Sequence, residues 1–195
     1  STGGDVVMEE NSRTNINAVN YIGTKGNDTF VFRHADDIMD GGEGNDTLDI
    51  NYPGVLANIN IYLSKNDQVD LFGDLSTSII KNFENVDLAD FENYGAYVDG
   101  SDIANIIIGT ASDDEILGNA GADIISGGEG NDTIVGGTEN DTITSGGGSD
   151  NLTGGSGDDT FNISGGANTI TDLSTGDILV VSASATANAT NISSF

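Results

Sequence analysis

Cysteine and tryptophan are absent from this 195-residue chain, proline and histidine occur once each, and lysine and arginine together number 5. Without cysteine there is no disulfide framework and no thiolate metal site. Export stays open, because a metal ion can staple a fold in place of disulfides. So few cations make no basic surface, which argues against nucleic acid and anionic membranes as partners. No apolar run approaches the ~20 residues that span a bilayer. Ser1 to Glu10 lacks a basic region followed by an apolar one, so no signal peptide is visible, and both ends read as cut from something longer. Catalytic signatures are missing as well. A Ser-His-Asp triad would have to use His34, which sits beside Arg33, and neither a nucleophile elbow nor an H-E-x-x-H occurs.

What is present is acid and glycine: 32 Asp+Glu, a formal net charge of −27, and 28 Gly. Such a balance fits either a disordered solvating chain or a fold that collects cations. The placement of the apolar residues, 36% of the chain, decides for the second. From Gly100 to Val180 the sequence divides into nine consecutive nine-residue repeats without insertion. Gly127 to Val135 reads GGEGNDTIV, and Gly136 to Thr144 reads GGTENDTIT. Position six holds Asn105, Asp114, Asp123, Asp132, Asp141, Asp150, Asp159, Asn168 and Asp177. Position eight holds Ile107, Ile116, Ile125, Ile134, Ile143, Leu152, Phe161, Ile170 and Leu179. A Gly/Asn/Asp-rich linker is the bland alternative, but a linker needs no apolar residue at a fixed place in every repeat. A shorter block has Gly23 to Val31 (GTKGNDTFV) and Gly41 to Asp49 (GGEGNDTLD). Between them, Phe32 to Asp40 keeps the frame through Asp37 and Met39 but loses the glycines.

The pattern G-G-x-G-x-D-x-U-x resembles the RTX family, the hemolysin-type calcium-binding nonapeptide repeat of bacterial toxins, proteases, lipases, adhesins and surface-layer proteins. The resemblance covers Gly23 to Asp49 and Gly100 to Val180. It implies an all-β fold, a right-handed parallel β-roll, with an irregular β section between two repeat blocks. The organisation is then an N-terminal cap over 1–22, a first repeat block over 23–49, the irregular section over 50–99, a second block over 100–180, and a C-terminal cap and tail over 181–195.

Each repeat reads as a six-residue turn and a three-residue strand whose position eight points inward. Two repeats make a coil of 18 residues, and stacked coils form parallel strands about 4.8 Å apart. Glycines let the turns adopt positive φ and let carbonyls converge. Position-six carboxylates of successive coils face one another at roughly 5 Å. They repel by ~1 kcal/mol in water, and a calcium ion between them reverses the sign.

The resemblance also implies the ligands. A full site takes the carbonyls of positions two and four and the Asp of one turn, with the carbonyls of positions one and three and the Asp of the turn two repeats later. On one side of the second block, Asn119, Gly121 and Asp123 join Gly136, Thr138 and Asp141, and then Gly137, Glu139 and Asp141 join Gly154, Ser156 and Asp159. On the other side, Thr110, Ser112 and Asp114 join Gly127, Glu129 and Asp132, and then Gly128, Gly130 and Asp132 join Ser145, Gly147 and Asp150. In the first block, Thr24, Gly26 and Asp28 join Gly41, Glu43 and Asp46. These sets amount to about five full sites, with up to three partial ones. Asn105 and Asn168 offer neutral ligands, and the turn ending at Asp177 lacks the glycine pair.

Outside the repeats, Asn58 to Leu63 alternates with Ile59, Ile61 and Leu63 on one face, and Gln68 to Phe72 alternates with Val69 and Leu71. Both read as strands around a Lys65-Asn66-Asp67 turn. Phe83, Val86, Leu88, Phe91, Tyr94, Tyr97 and Val98 either fill a wider core or, through Phe91, Tyr94 and Tyr97, form a platform for a ligand such as a sugar. Val6, Val7, Ile16 and Tyr21 are cap candidates at one end, and residues after Ser182 read as extended or frayed.

The family resemblance implies a calcium-binding structural module without enzyme activity. It would be secreted or at the cell surface, exported by type I secretion, unfolded in the cytosol and folded by calcium outside, within a larger adhesin or surface-layer-like protein. The rival is a calcium-dependent carbohydrate-binding module like the R-modules of alginate epimerases. Against an acidic polymer stand only Arg13, Lys25, Arg33, Lys65 and Lys81, so a neutral polysaccharide or a calcium-bridged one is the open form of that reading. An enzyme domain is the third reading. A glycosidase-like carboxylate pair is open by count alone, but the repeat accounts for most Asp residues without it.

Overall fold

The computed structural model describes residues 7–8, 20–32, 38–51, 58–64, 69–71, 79–91, 94–190 and 192. Their secondary structure is all β, with no helix. The strands are β1 (Val7–Met8), β2 (Asn20–Ile22), β3 (Thr29–Phe32), β4 (Ile38–Asp40), β5 (Thr47–Ile50), β6 (Ile59–Tyr62), β7 (Val69–Leu71), β8 (Ile79–Lys81), β9 (Asn85–Asp87) and β10 (Ala96–Asp99). They continue as β11 (Ile106–Ile108), β12 (Glu115–Ala120), β13 (Ile124–Ser126), β14 (Thr133–Thr138), β15 (Thr142–Thr144), β16 (Asn151–Ser156), β17 (Thr160–Ile163), β18 (Ala167–Ile170), β19 (Ile178–Val181) and β20 (Thr186–Ala189).

A nine-stranded sheet runs β1-β3-β5-β9-β11-β13-β15-β17-β19, and an eight-stranded sheet runs β20-β18-β16-β14-β12-β10-β6-β7. A three-stranded sheet, β2-β4-β8, completes the N-terminal half. Every pairing is parallel except β6 with β7. From β9 to β20 the chain alternates between the two large sheets, and the coil is 18 residues: Ile106, Ile124, Thr142, Thr160 and Ile178 stand in register, as do Glu115, Thr133, Asn151 and Thr169. This is the parallel β-roll expected from the repeat.

Position eight builds the core. Ile107, Ile125, Ile143 and Phe161 from one sheet meet Ile116, Ile134, Leu152 and Ile170 from the other, each 1% exposed or less. Each such burial stabilises by ~1.5–3 kcal/mol. Leu179 holds the same position but is 36% exposed, because among the described residues no coil lies above it. Ile178, Val180 and Val181 beside it are exposed too, so β19 is an apolar edge.

The strand lengths differ from the uniform expectation. In the nine-stranded sheet β11, β13 and β15 have three residues and β17 and β19 four, but β12, β14 and β16 of the other sheet have six. There the ladder runs on into the following turn, with Asn119, Gly137 and Gly155 in register. The tail is extended at Thr186–Ala189, one of the two forms expected of it, and pairs there with β18 while Ala185, Ala187 and Ala189 pack on the core.

The irregular section contributes to the same stack. β9 lies between β5 and β11, while on the other side β6, and not β8, pairs with β10. Ile59, Ile61 and Leu63 are buried as the alternation predicts. Phe30, Phe32, Phe83, Leu88 and Phe91 widen the core, with Phe30 edge-on to Phe83 at 5.5 Å. Phe91 therefore belongs to the interior and not to a surface platform, and Tyr94 also packs on the core. Tyr97 lies on the outer side beside Tyr62, with ring centroids 5.9 Å apart. At the N-terminal end β1 pairs with β3, and Tyr21 packs edge-on against Phe30. Val6, Arg13, Ile16, Arg33, His34, Asp37, the 65–67 turn, Gln68 and Phe72 lie outside the described residues.

Candidate metal centres

The turns form two columns, one along each edge of the roll. One column carries Asp28, Asp46, Asn105, Asp123, Asp141, Asp159 and Asp177, and the other carries Asp114, Asp132, Asp150 and Asn168. All are buried except the half-buried Asp177. Within each column the backbone N–H of one position-six residue donates to Oδ1 of the next one up. Asp28 donates to Asp46 at 2.8 Å, Asn105 to Asp123 at 2.7 Å, and Asp123 to Asp141, Asp141 to Asp159 and Asp159 to Asp177 at 2.9 Å. In the second column Asp114 donates to Asp132 at 2.9 Å, Asp132 to Asp150 at 3.0 Å, and Asp150 to Asn168 at 2.7 Å. Asn168 thus keeps the place of an Asp in the ladder.

The second carboxylate oxygen is the informative one. Oδ2 of Asp46, Asp123, Asp132, Asp141 and Asp150 is buried with no hydrogen-bond partner. A buried acceptor left unpaired costs about 1–3 kcal/mol, and more when charged. At two turns a threonine supplies that partner instead. Thr24 donates its N–H to Asp28 Oδ2 at 2.6 Å, and Thr110 does so to Asp114 Oδ2 at 2.7 Å. Asp177 Oδ2 accepts from the N–H of Ser174 at 2.6 Å.

Carbonyls converge on the same places. A Cβ added to Gly118 would collide with Asp123 Oδ2 and with the carbonyl oxygen of Gly136. The same collision joins Asp132 with Ser145 at Gly127, Asp141 with Gly154 at Gly136, Asp114 with Gly127 at Gly109, and Asp28 with Gly41 at Gly23. At these turns a Cβ at position one would displace the carboxylate or the carbonyl above it, so glycine is required there. The position-two and position-four carbonyls point up at the next coil. Thr24 and Gly26 face Gly42 and Gly44, Thr110 and Ser112 face Gly128 and Gly130, Asn119 faces Gly137, and Gly137 and Glu139 face Gly155 and Gly157. Gly128 can offer this approach because its φ is +103°, a region that L side chains avoid. Gly121 meets its upper neighbour differently: its N–H donates to Glu139 Oε2 at 2.9 Å.

The position-three residues Glu43, Glu129, Thr138 and Ser156 sit at exposed turn tips, and Gly147 is half-buried. Glu43 and Gly147 donate their N–H to the carbonyls of Thr24 and Gly128 below, at 3.3 and 2.8 Å. The position-one carbonyl of an upper turn thus lies beside the position-six Oδ2 of the turn below, the position-two and position-four carbonyls approach the same positions of the next coil, and position three sits at the tip.

Sequence reasoning missed position five. The Asn and Asp residues there lace the coils in the opposite sense: Asn27 Oδ1 accepts from Asn45 N at 3.1 Å, Asp113 Oδ1 from Asn131 N at 2.7 Å, Asn131 Oδ1 from Ser149 N at 2.9 Å, and Asn140 Oδ1 from Asp158 N at 2.9 Å. The signal was present as the Asn or Asp that precedes several position-six residues, such as Asn27, Asp113, Asn131 and Asn140, but the nine-residue period assigned it no role.

Burial and neighbouring carboxylates push seven of the ladder's acids up. Asp46 and Asp123 rise from 3.8 to about 6, and Asp132 and Asp141 to about 7, burial being the largest cause in each. Asp114, Asp150 and Asp159 are raised for the same reason. Among the described residues no three Asp, Glu, His or Cys side chains gather at one point. Any ion held here takes most of its ligands from carbonyls. Hard oxygen donors, few charges and irregular spacing suit calcium, which accepts six to eight oxygens in flexible geometry, better than the near-octahedral magnesium. The orphaned Oδ2 atoms and the glycine cradles fit that ion.

A family model described as the RTX calcium-binding nonapeptide repeat matches the chain in four copies, over residues 20–48, 99–134, 126–161 and 135–170. No curated protein matches it.

Proposed function

Because the chain belongs to the RTX calcium-binding nonapeptide-repeat family, we propose that it is a structural calcium module whose roll closes on calcium, without catalysis of its own. The observation that carries this reading is the set of five buried Oδ2 atoms with no partner. A fold that buries five such oxygens is incomplete without a cation, and metal binding then becomes folding free energy. Asp123, Asp132, Asp141 and Asp150 with their carbonyl neighbours would hold ions in the second block, and Asp28 with Asp46 in the first. The ions would neutralise the stacked carboxylates and tie each coil to the next. Low calcium inside the cell would leave the chain unfolded for type I export, and higher calcium outside would fold it. The setting that suits such a module is a larger secreted adhesin or surface-layer-like protein.

Far-ultraviolet circular dichroism and sedimentation during a calcium titration, with magnesium as control, test this. A cooperative coil-to-β transition with compaction, specific to calcium, is expected. A chain fully folded in excess chelator, with no calcium bound, would overturn it.

One observation favours a second reading, a carbohydrate-binding module. Tyr62 and Tyr97 pair on the outer side of the eight-stranded sheet, and Tyr97 borders a depression lined also by Asn58, Asn60, Asp113, Glu115 and Asn131. Retention on a neutral-glycan column that is lost in a Tyr62→Ala/Tyr97→Ala variant, with the calcium midpoint unchanged, would support it.

A further inference from the structure

The turn from Asn82 to Glu84 lies outside every matched repeat, yet it stands in the column of Asp turns. Its frame follows from backbone bonds. Gly41 N donates to Lys81 O at 3.1 Å, as Gly109 N does to Ser126 O and Gly127 N to Thr144 O, so Lys81 occupies position nine and Asn82 position one. Thr47 stands in register with Asn85, which puts Asn85 at position seven and Glu84 at position six. Three residues here do the work of six. Asn82 absorbs the tighter turn with φ +58°. Glu84 has one more methylene than Asp and reaches back: its Oε2 accepts the N–H of Asp46 at 2.7 Å, the bond that Asp141 Oδ1 makes with Asp123.

The cradle is present too. A Cβ on Gly41 would collide with the carbonyl oxygen of Asn82 and with Asp46 Oδ2. Asp46 is fully buried, and this oxygen has no hydrogen-bond partner. Gly42 and Gly44 hold positions two and four of the lower turn, whose carbonyls face upward elsewhere in the stack.

We propose that Asp46, the Asn82 carbonyl and the Glu84 carboxylate, with the carbonyls of Gly42 and Gly44, form an additional calcium site that bridges the first repeat block to the irregular section. This rests on calcium binding by the repeats, and it departs from them in using a shortened turn and a glutamate. Its role is to hold β8 and β9 to the first block across a detour of 38 residues between Asp46 and Glu84, where an ordinary coil needs 18.

The test counts ions on the full chain by native mass spectrometry and follows them by calorimetric titration. Glu84→Gln keeps the acceptor for the Asp46 N–H but removes the charge. One ion fewer, or a loss of affinity of tenfold or more at one site with the other sites unchanged, is expected. An unchanged count and isotherm would overturn the proposal while leaving the repeat sites standing. No calcium bound by the unaltered chain would instead remove the general reading, and this site with it. If Glu84→Gln does not fold in calcium, Glu84→Asp is read in its place. It keeps the charge but falls short of Asp46, so one site should weaken at least tenfold, and an unaltered isotherm would again overturn the proposal.

Discussion

Asp123 gives its backbone N–H to Oδ1 of Asp141 at 2.9 Å, while its own Oδ2 is buried without a partner near the carbonyl of Gly136. The carboxylates of Asp123, Asp132 and Asp141 therefore each have two faces. One oxygen secures the coil below, and the other opens onto the coil above.

In Asp141, Oδ1 accepts from Asp123 and Oδ2 is orphaned. Asp141→Asn preserves the Oδ1 acceptor and removes the charge from both adjoining sites. Calorimetry should show two sites weakened at least tenfold, ~1.4 kcal/mol each. Asp102→Asn, at an exposed position, should leave the isotherm unchanged.

Stability should respond to pH in opposite directions with and without calcium. Asp123, Asp132 and Asp141 have folded values raised above 3.8, to about 6 for the first and about 7 for the other two. The calcium-free folded chain thus binds more protons than the unfolded one between those values. Its stability is greatest below pH ~4 and falls as pH rises through 6 to 7. Circular dichroism in chelator should show most β structure near pH 4 and least above pH 7. Calcium affinity should run the other way, rising through pH 6 to 7 with proton release, measurable as a buffer-dependent binding enthalpy.

Gly127→Ala should cost a site through close approach alone. Its methyl would collide with Asp132 Oδ2 and meet the Ser145 carbonyl oxygen at 2.7 Å. Native mass spectrometry should find fewer ions, and calcium-loaded unfolding in urea should lose ~1–3 kcal/mol, the range for an overpacked interior.

Asn131→Ala tests the lacing at position five. It removes the acceptor for Ser149 N, an exposed bond worth ~0.5–1.5 kcal/mol. Urea unfolding should register that loss with every ion retained. Asn131→Asp, which keeps the acceptor, should restore most of it.

The coil length, the inward residues from Ile107 to Ile170 and the two columns of Asp were legible because a nine-residue period repeats the same physical demand at every step. Departures from the period carried less signal. Leu179 has the residue type of a core position, and only its place at the end of the stack exposes it. Phe91 could be assigned to core or platform until β9 and β10 took their places. The Asn82–Glu84 turn was invisible because its alignment with Gly41 and Asp46 depends on a long detour that sequence spacing cannot bridge. Position five was visible as a pattern, but its role needed the knowledge of which amide lies above which side chain.

The 18-residue register also gives the roll a mechanical grain. Each coil touches only the coils beside it, so force applied to the chain ends removes coils one at a time from an end. Every coil that peels away frees 18 residues, about 60 Å of contour at full extension. A bound cation at each step would set the tension at which that length is paid out.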